Sequence, residues 1–148
     1  MKKEEAIESI NKAIESHKAQ MAKIERLVYA QTVEKPTAVS KAQCDFGKWL
    51  YGDENHVREI LGDQFYEKLD ILHERWHKEY FKIFKIFFPD TTKGFFSKLI
   101  GSTQVDTLEL DKAKLYYIEI GETTHDLLNV LSSSQRRMSA LSESKFKY

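Results

Sequence analysis

The chain is poor in several things at once: it has one cysteine, two prolines and six glycines in 148 residues, and no charge of either sign in excess. Its single cysteine, Cys44, cannot close an internal disulfide. In a reducing compartment a lone cysteine is an inert core residue, a reactive thiol or a metal ligand. Lysine plus arginine balance aspartate plus glutamate, 23 against 23, which gives no reason to expect a nucleic-acid partner or an anionic membrane surface. No apolar run approaches the roughly 20 residues that a membrane span needs, and Met1-Lys2-Lys3-Glu4-Glu5 does not read as a signal peptide. A cytoplasmic location is the expectation. Few prolines and glycines, with long stretches of helical period, leave little room for a sheet. The expected fold class is all-α: an antiparallel four-helix bundle with an extra short helix carrying the cysteine.

Residues 4–33 read as one amphipathic helix, with Ile7, Ile10, Ile14, Met21, Ile24 and Val28 spaced three and four apart. Between Ile14 and Met21 the same register demands position 17, which is His17. A histidine in a core position needs a partner, and a backbone carbonyl would satisfy it as well as a metal. Pro36 ends this helix. A short helix from about Ser40 to Tyr51 follows, carrying Cys44-Asp45-Phe46-Gly47-Lys48-Trp49. Gly47 lies one turn from Cys44; a glycine inside a helix costs up to about 1 kcal/mol against alanine, so a close approach of backbone beside the thiol is the expected reason for it. Cys44 itself reads equally as a small buried hydrophobe.

A third long helix runs from about Gln64 to Phe88, stopped by Pro89. Phe65, Leu69, Leu72, Trp76, Tyr80, Ile83 and Phe87 form one face; His73, His77, Phe81, Phe84 and Phe88 form a second stripe. The end of this helix is apolar nearly all round, which fits either burial against a second copy of the chain or a wide core face. Residues 90–103 suggest a short apolar segment over one end of the bundle. A last long helix is expected from about Val105 to Leu131, with Leu108, Leu115, Ile118, Leu128 and Leu131 as its face. The bundle domain is thus placed at 1–131, with 132–148 a frayed helical extension or linker.

His73-Glu74-Arg75-Trp76-His77 puts two imidazoles one helical turn apart on one face, where both can meet one ion. With His17 on the first helix and Cys44 on the second, four candidate ligands stand on three helices that a bundle can bring together. One thiolate and three neutral imidazoles suit tetrahedral Zn²⁺ better than Mg²⁺ or Ca²⁺. His125 and His56 are the competing histidines. His125, seven residues after Ile118, is the replacement should His17 fail; a solvated or hydrogen-bonded role is expected for both.

These residues also carry a resemblance. His17, then Cys44-x-Phe46-Gly47-x-Trp49, then His73-x3-His77, in this order, resemble the chemoreceptor zinc-binding (CZB) domain family, and Ile10-Asn11-Lys12-Ala13-Ile14-Glu15-Ser16-His17 is similar to its approach to the first histidine. The likeness extends over about residues 5–130; where the family favours a bulky apolar residue two positions after the first histidine, this chain has Ala19. The resemblance implies a bacterial signalling module with one zinc held by three histidines and one cysteine, forming a homodimer. It also implies partners such as a chemoreceptor, a cyclase or another signalling protein, and a readout of zinc or oxidant in chemotaxis or second-messenger control. This chain carries neither a receptor nor a cyclase, so it is expected to be a free-standing module or a fragment.

The same five residues match the H-E-x-x-H signature of zinc proteases, in which the glutamate acts as a general base on bound water. The longer form of that signature fails, since Tyr80 and Ile83 occupy its glycine and third-histidine positions. Four protein ligands would also close the coordination position that catalysis needs. Glu74 is then one position off the ligand stripe and solvated. A di-iron oxygen carrier would need bridging carboxylates in His-x3-Glu pairs, which are not evident. A non-enzymatic zinc-binding regulatory module is the expectation, with a helical adaptor holding a purely structural zinc as the alternative.

Overall fold

The computed structural model describes residues 1–89 and 105–147, and all regular structure among them is helical. The described residues form three long helices, α1 (Lys3–Tyr29), α4 (Asp63–Phe87) and α5 (Thr107–Ala140), with two short ones, α2 (Asp45–Tyr51) and α3 (Val57–Leu61), between α1 and α4. At one end Lys3 Nζ donates to the Leu141 carbonyl, and at the other the rings of Tyr29 and Tyr117 meet, so α1 and α5 run antiparallel. Arg137 Nε reaches the Leu61 carbonyl near the start of α4, while Lys82 pairs with Glu119, so α4 and α5 are antiparallel too. Residues 31–61 descend between α1 and α4. This second leg of the bundle is extended chain in its upper part and two short helices below, which gives the expected all-α bundle with one broken leg.

Local chemistry explains the breaks. The Glu5 carboxylate accepts the Lys2 backbone N–H at 2.8 Å and starts α1. Gly62 has φ of +86°, a left-handed conformation that glycine takes without strain, and it separates α3 from α4. The second helix starts later than the sequence suggests: its N-cap is Cys44, not Ser40, and residues 40–43 form a turn. The expected segment over 90–103 lies outside the described residues.

The core is built from Ile10, Ile24 and Val28 of α1, Leu69, Trp76, Tyr80 and Ile83 of α4, and Ile120, Leu127, Leu131 and Met138 of α5. Each such side chain contributes about 1.5–3 kcal/mol on burial. On α5 the observed core face differs from the expected one. Leu108, Leu115 and Ile118 are exposed, whereas Ala113, Ile120, Thr123, Thr124, Leu127, Leu131, Ser134 and Met138 face inward. Small residues serve here because α5 packs along both α1 and α4, and short side chains let the helix axes approach. The buried hydroxyl of Thr124 accepts from Trp76 Nε1 at 2.8 Å and donates to the Ile120 carbonyl at 2.6 Å. The end expected at Leu131 is also corrected: α5 continues to Ala140, Met138 is fully buried and Phe146 is buried after it, so 132–147 pack on the bundle rather than fray.

Candidate metal centre

The centre lies where the extended part of the second leg turns into α2. Cys44 sits at the N-cap, and its sulfur accepts the Gly47 N–H at 3.2 Å. Its thiol donates to the Lys41 carbonyl at 3.4 Å. Gly47 is required at this point: a Cβ there would overlap the Lys41 carbonyl oxygen and lie 2.8 Å from the carbonyl carbon. The close backbone approach beside the thiol is therefore present, made by the preceding turn. The stretch above α2 docks on α4, with the Val39 carbonyl 2.9 Å from His77 Nδ1 and the Thr37 N–H donating to the Tyr80 hydroxyl at 3.1 Å.

Three of the four candidate ligands converge. Ligand atoms of Cys44, His73 and His77 all lie within 4.8 Å of one another. Cys44 Sγ is 3.3 Å from His73 Nε2, which is 3.1 Å from His77 Nε2. His17 is buried beside them, its ring centroid 5.6 Å from that of His73 and 5.2 Å from that of Trp76, but it is not part of that tight triad. A cavity of about 260 Å³ is lined by His17, Cys44 and His77 together with Gln20, Thr37 and Trp76. His125 is exposed and bonded to Asn129, so it faces away from the centre. Glu74 is 45% exposed and pairs with Lys78 and Lys41, off the ligand face as its position implies.

The hydrogen bonds fix the imidazole protons. A carbonyl only accepts, so His77 Nδ1 carries a proton for Val39 and His17 Nδ1 carries one for Ala13, 2.7 Å away. At His73 the deciding partner is Tyr51, whose oxygen lies 3.2 Å from Nδ1 and 2.8 Å from Asp70 Oδ1. The single phenolic hydrogen goes to the carboxylate, so His73 Nδ1 must donate. Each neutral ring then keeps its lone pair on Nε2. For His73 and His77 these lone pairs face each other at 3.1 Å beside a sulfur, with no proton between them. That arrangement is repulsive unless a cation lies among the donors, so the residues fit a metal ion.

Electrostatics agree. Burial, then the neighbouring His77, His17 and Lys41 charges, push the His73 imidazole down to about 2. Burial also lowers His77, to about 4, against the opposing Val39 hydrogen bond, and lowers His17. All three rings are thus held neutral, the form that binds metal. Burial raises the Cys44 thiol, with the Gly47 N–H opposing it, so its thiolate is not favoured by the protein alone.

Comparison with known families bears on this geometry directly. Residues 17–84 match the chemoreceptor zinc-binding domain. The matched stretch starts at His17 and ends at Phe84; it contains all four candidate ligands and is shorter than the sequence likeness suggests. Neither the curated proteins nor the solved structures compared with the chain gave a match. The family is a zinc-binding one, and the Cys44–His73–His77 cluster of the CZB stretch suits that ion. No helix among the described residues is long and apolar enough to cross a membrane.

Tyr51, Asp70 and Lys41 belong to the site without standing out in the sequence. Lys41 Nζ bonds Asp70 at 2.7 Å and lies 4.8 Å from the centroid of the Tyr51 ring. The available signal was position: Asp70 lies one turn before His73 on the same helix face, and Tyr51 lies two turns after Cys44.

Proposed function

We propose that this chain is a zinc-binding regulatory module of bacterial signal transduction, with one Zn²⁺ held by His17, Cys44, His73 and His77. The observation that carries the reading is the pair of Nε2 atoms of His73 and His77, 3.1 Å apart beside the Cys44 sulfur, with each ring's Nδ1 engaged elsewhere. His17 is the fourth ligand: its Nδ1 is occupied by Ala13, which leaves Nε2 available at the shared cavity. Zinc supplies the positive charge that makes Cys44 a thiolate and balances the facing lone pairs. Four protein ligands leave no position for substrate, so the module is not catalytic, and Glu74 has no proton-transfer role.

The signalling step is loss of the sulfur bond. Cys44 ties the N-terminus of α2 to α4, whereas the histidines stand on α1 and α4 themselves. Hydrogen peroxide that transfers one oxygen to the thiolate gives sulfenate and water, and removes the soft donor. Zinc scarcity or acid has a related effect, since the ligands bind metal only when deprotonated. Release of α2 then alters the packing of α1 and α5. Those helices pass the change to a second copy of the chain and to a receptor, a cyclase or another cytoplasmic signalling protein. Leu108, Leu115 and Ile118, 56–67% exposed on one side of α5, provide an apolar surface for the second copy.

Metal analysis with a competitive zinc titration of the purified chain tests this reading. The expected results are one zinc per chain, no iron, and markedly weaker binding in Cys44→Ala with helical content retained. Zinc affinity unchanged by Cys44→Ala overturns the regulatory role of the sulfur.

A further inference from the structure

We infer that Tyr51 and Asp70 are positioning residues for the metal centre, which hold His73 in the tautomer and orientation that present Nε2 to the ion. The inference rests on the zinc reading above and extends it to residues that touch no metal. His73 Nδ1 donates to the Tyr51 oxygen at 3.2 Å, Tyr51 donates to Asp70 Oδ1 at 2.8 Å, and Lys41 Nζ donates to the same oxygen at 2.7 Å. The chain of donors has one direction only. The ammonium and the carboxylate fix its outer end, so the phenol has a single orientation and the imidazole a single tautomer.

The relay also joins the two halves of the site. Lys41 sends its side chain to Asp70, while its carbonyl accepts from the Cys44 thiol and lies against Gly47. Tyr51 ends the short helix that Cys44 begins, and its ring stacks on His73 with centroids 6.1 Å apart. A carboxylate behind a metal-bound imidazole raises the basicity of the ligating nitrogen and removes the entropy of ring rotation; loss of such partners costs about 10–100-fold in metal affinity. Here the phenol carries that influence from Asp70 to His73.

The test compares wild type, Tyr51→Phe and Asp70→Asn as full chains by competitive zinc titration. It adds melting of the metal-free proteins and long-range ¹H–¹⁵N spectra of the histidine rings. Tyr51→Phe keeps the stacked ring and removes only the hydroxyl. It is expected to weaken zinc binding at least about 10-fold. Melting of its metal-free form should change little, and the His73 Nδ1 proton, protected in the zinc-loaded wild type, should exchange freely. Asp70→Asn should shift affinity and spectrum in the same direction. Wild type that binds zinc with Tyr51→Phe binding equally well overturns this inference and leaves the zinc reading standing. So does weaker binding matched by a collapse of the metal-free fold with the His73 proton unchanged, because that marks a purely structural role. A wild-type chain that takes up no zinc overturns both.

Discussion

Replacing Gly47 by alanine separates helix propensity from tertiary geometry with unusual clarity. Propensity alone favours the change: alanine in place of glycine inside a helix is worth about 1 kcal/mol, and it also reduces the freedom of the unfolded chain. The structure reverses the sign. The new methyl would overlap the Lys41 carbonyl oxygen, 2.8 Å from the carbonyl carbon and 3.4 Å from the Ala42 Cα. Restoring carbon contacts of about 3.5 Å requires the 41–44 turn or α2 to move by roughly 1 Å or more. Such overpacking costs about 1–3 kcal/mol, and because the obstruction is backbone the upper half of that range applies. Set against the propensity gain, the net loss is about 1–2 kcal/mol.

For a chain of this size each kcal/mol moves the melting midpoint by about 2–4 °C, so a fall of roughly 2–8 °C is expected in the metal-free protein. The displaced turn carries Cys44, whose sulfur is held by Lys41 and Gly47. A metal site tolerates ligand displacements of only about 0.5 Å, so zinc affinity should fall as well. Circular dichroism melts with a chelator present give the first quantity and competitive titration the second. Gly121→Ala is the internal control: it too lies within a helix, but an added Cβ there meets nothing within 4 Å, so its midpoint should rise. A Gly47→Ala chain that melts at or above wild type with unchanged zinc affinity would refute the close approach and the placement of Cys44 with it.

Two other outcomes follow from particular side chains. The Ser134 hydroxyl is fully buried on α5 without a hydrogen-bond partner among the described residues, so Ser134→Ala should raise stability by about 1 kcal/mol in denaturant titration; a loss would point to a hidden partner. The proposed pairing of two copies through α5 predicts that glutamate at Leu115 and Ile118, which are 62% and 56% exposed, leaves the chain folded and shifts sedimentation toward the monomer; wild type that sediments as a monomer, or a coefficient unchanged by the substitutions, removes that face from the proposal.

Much of the architecture was legible in the chain because helices announce themselves through local period. The three long helices, the stop at Pro89 and the all-α class all came from spacing and backbone chemistry between near neighbours. The triad was legible for a related reason. His73 and His77 lie one turn apart whatever surrounds the helix, and Cys44 beside a helical Gly47 signals a crowded backbone. The face of α5 was not legible. Leu108, Leu115 and Ile118 point outward while Ala113, Thr123, Thr124 and Ser134 share the seam with Ile120, Leu127, Leu131 and Met138, and only the closeness of α1 and α4 makes small side chains the better fit there. The packing of Met138 and Phe146 was hidden too, since the polar residues around 132–137 mask a helix that continues for two more turns.

Residue types and their intervals thus determined that this is a helical protein with a soft, zinc-suited donor set. Tertiary structure decided which nitrogen of each imidazole is free, because that depends on carbonyls and a phenol contributed by distant parts of the chain. It also decided that His17 stands just outside a tight triad of Cys44, His73 and His77. The physical reason is range: helical period is set within four residues, whereas a metal centre is set by where separate helices bring their side chains in space.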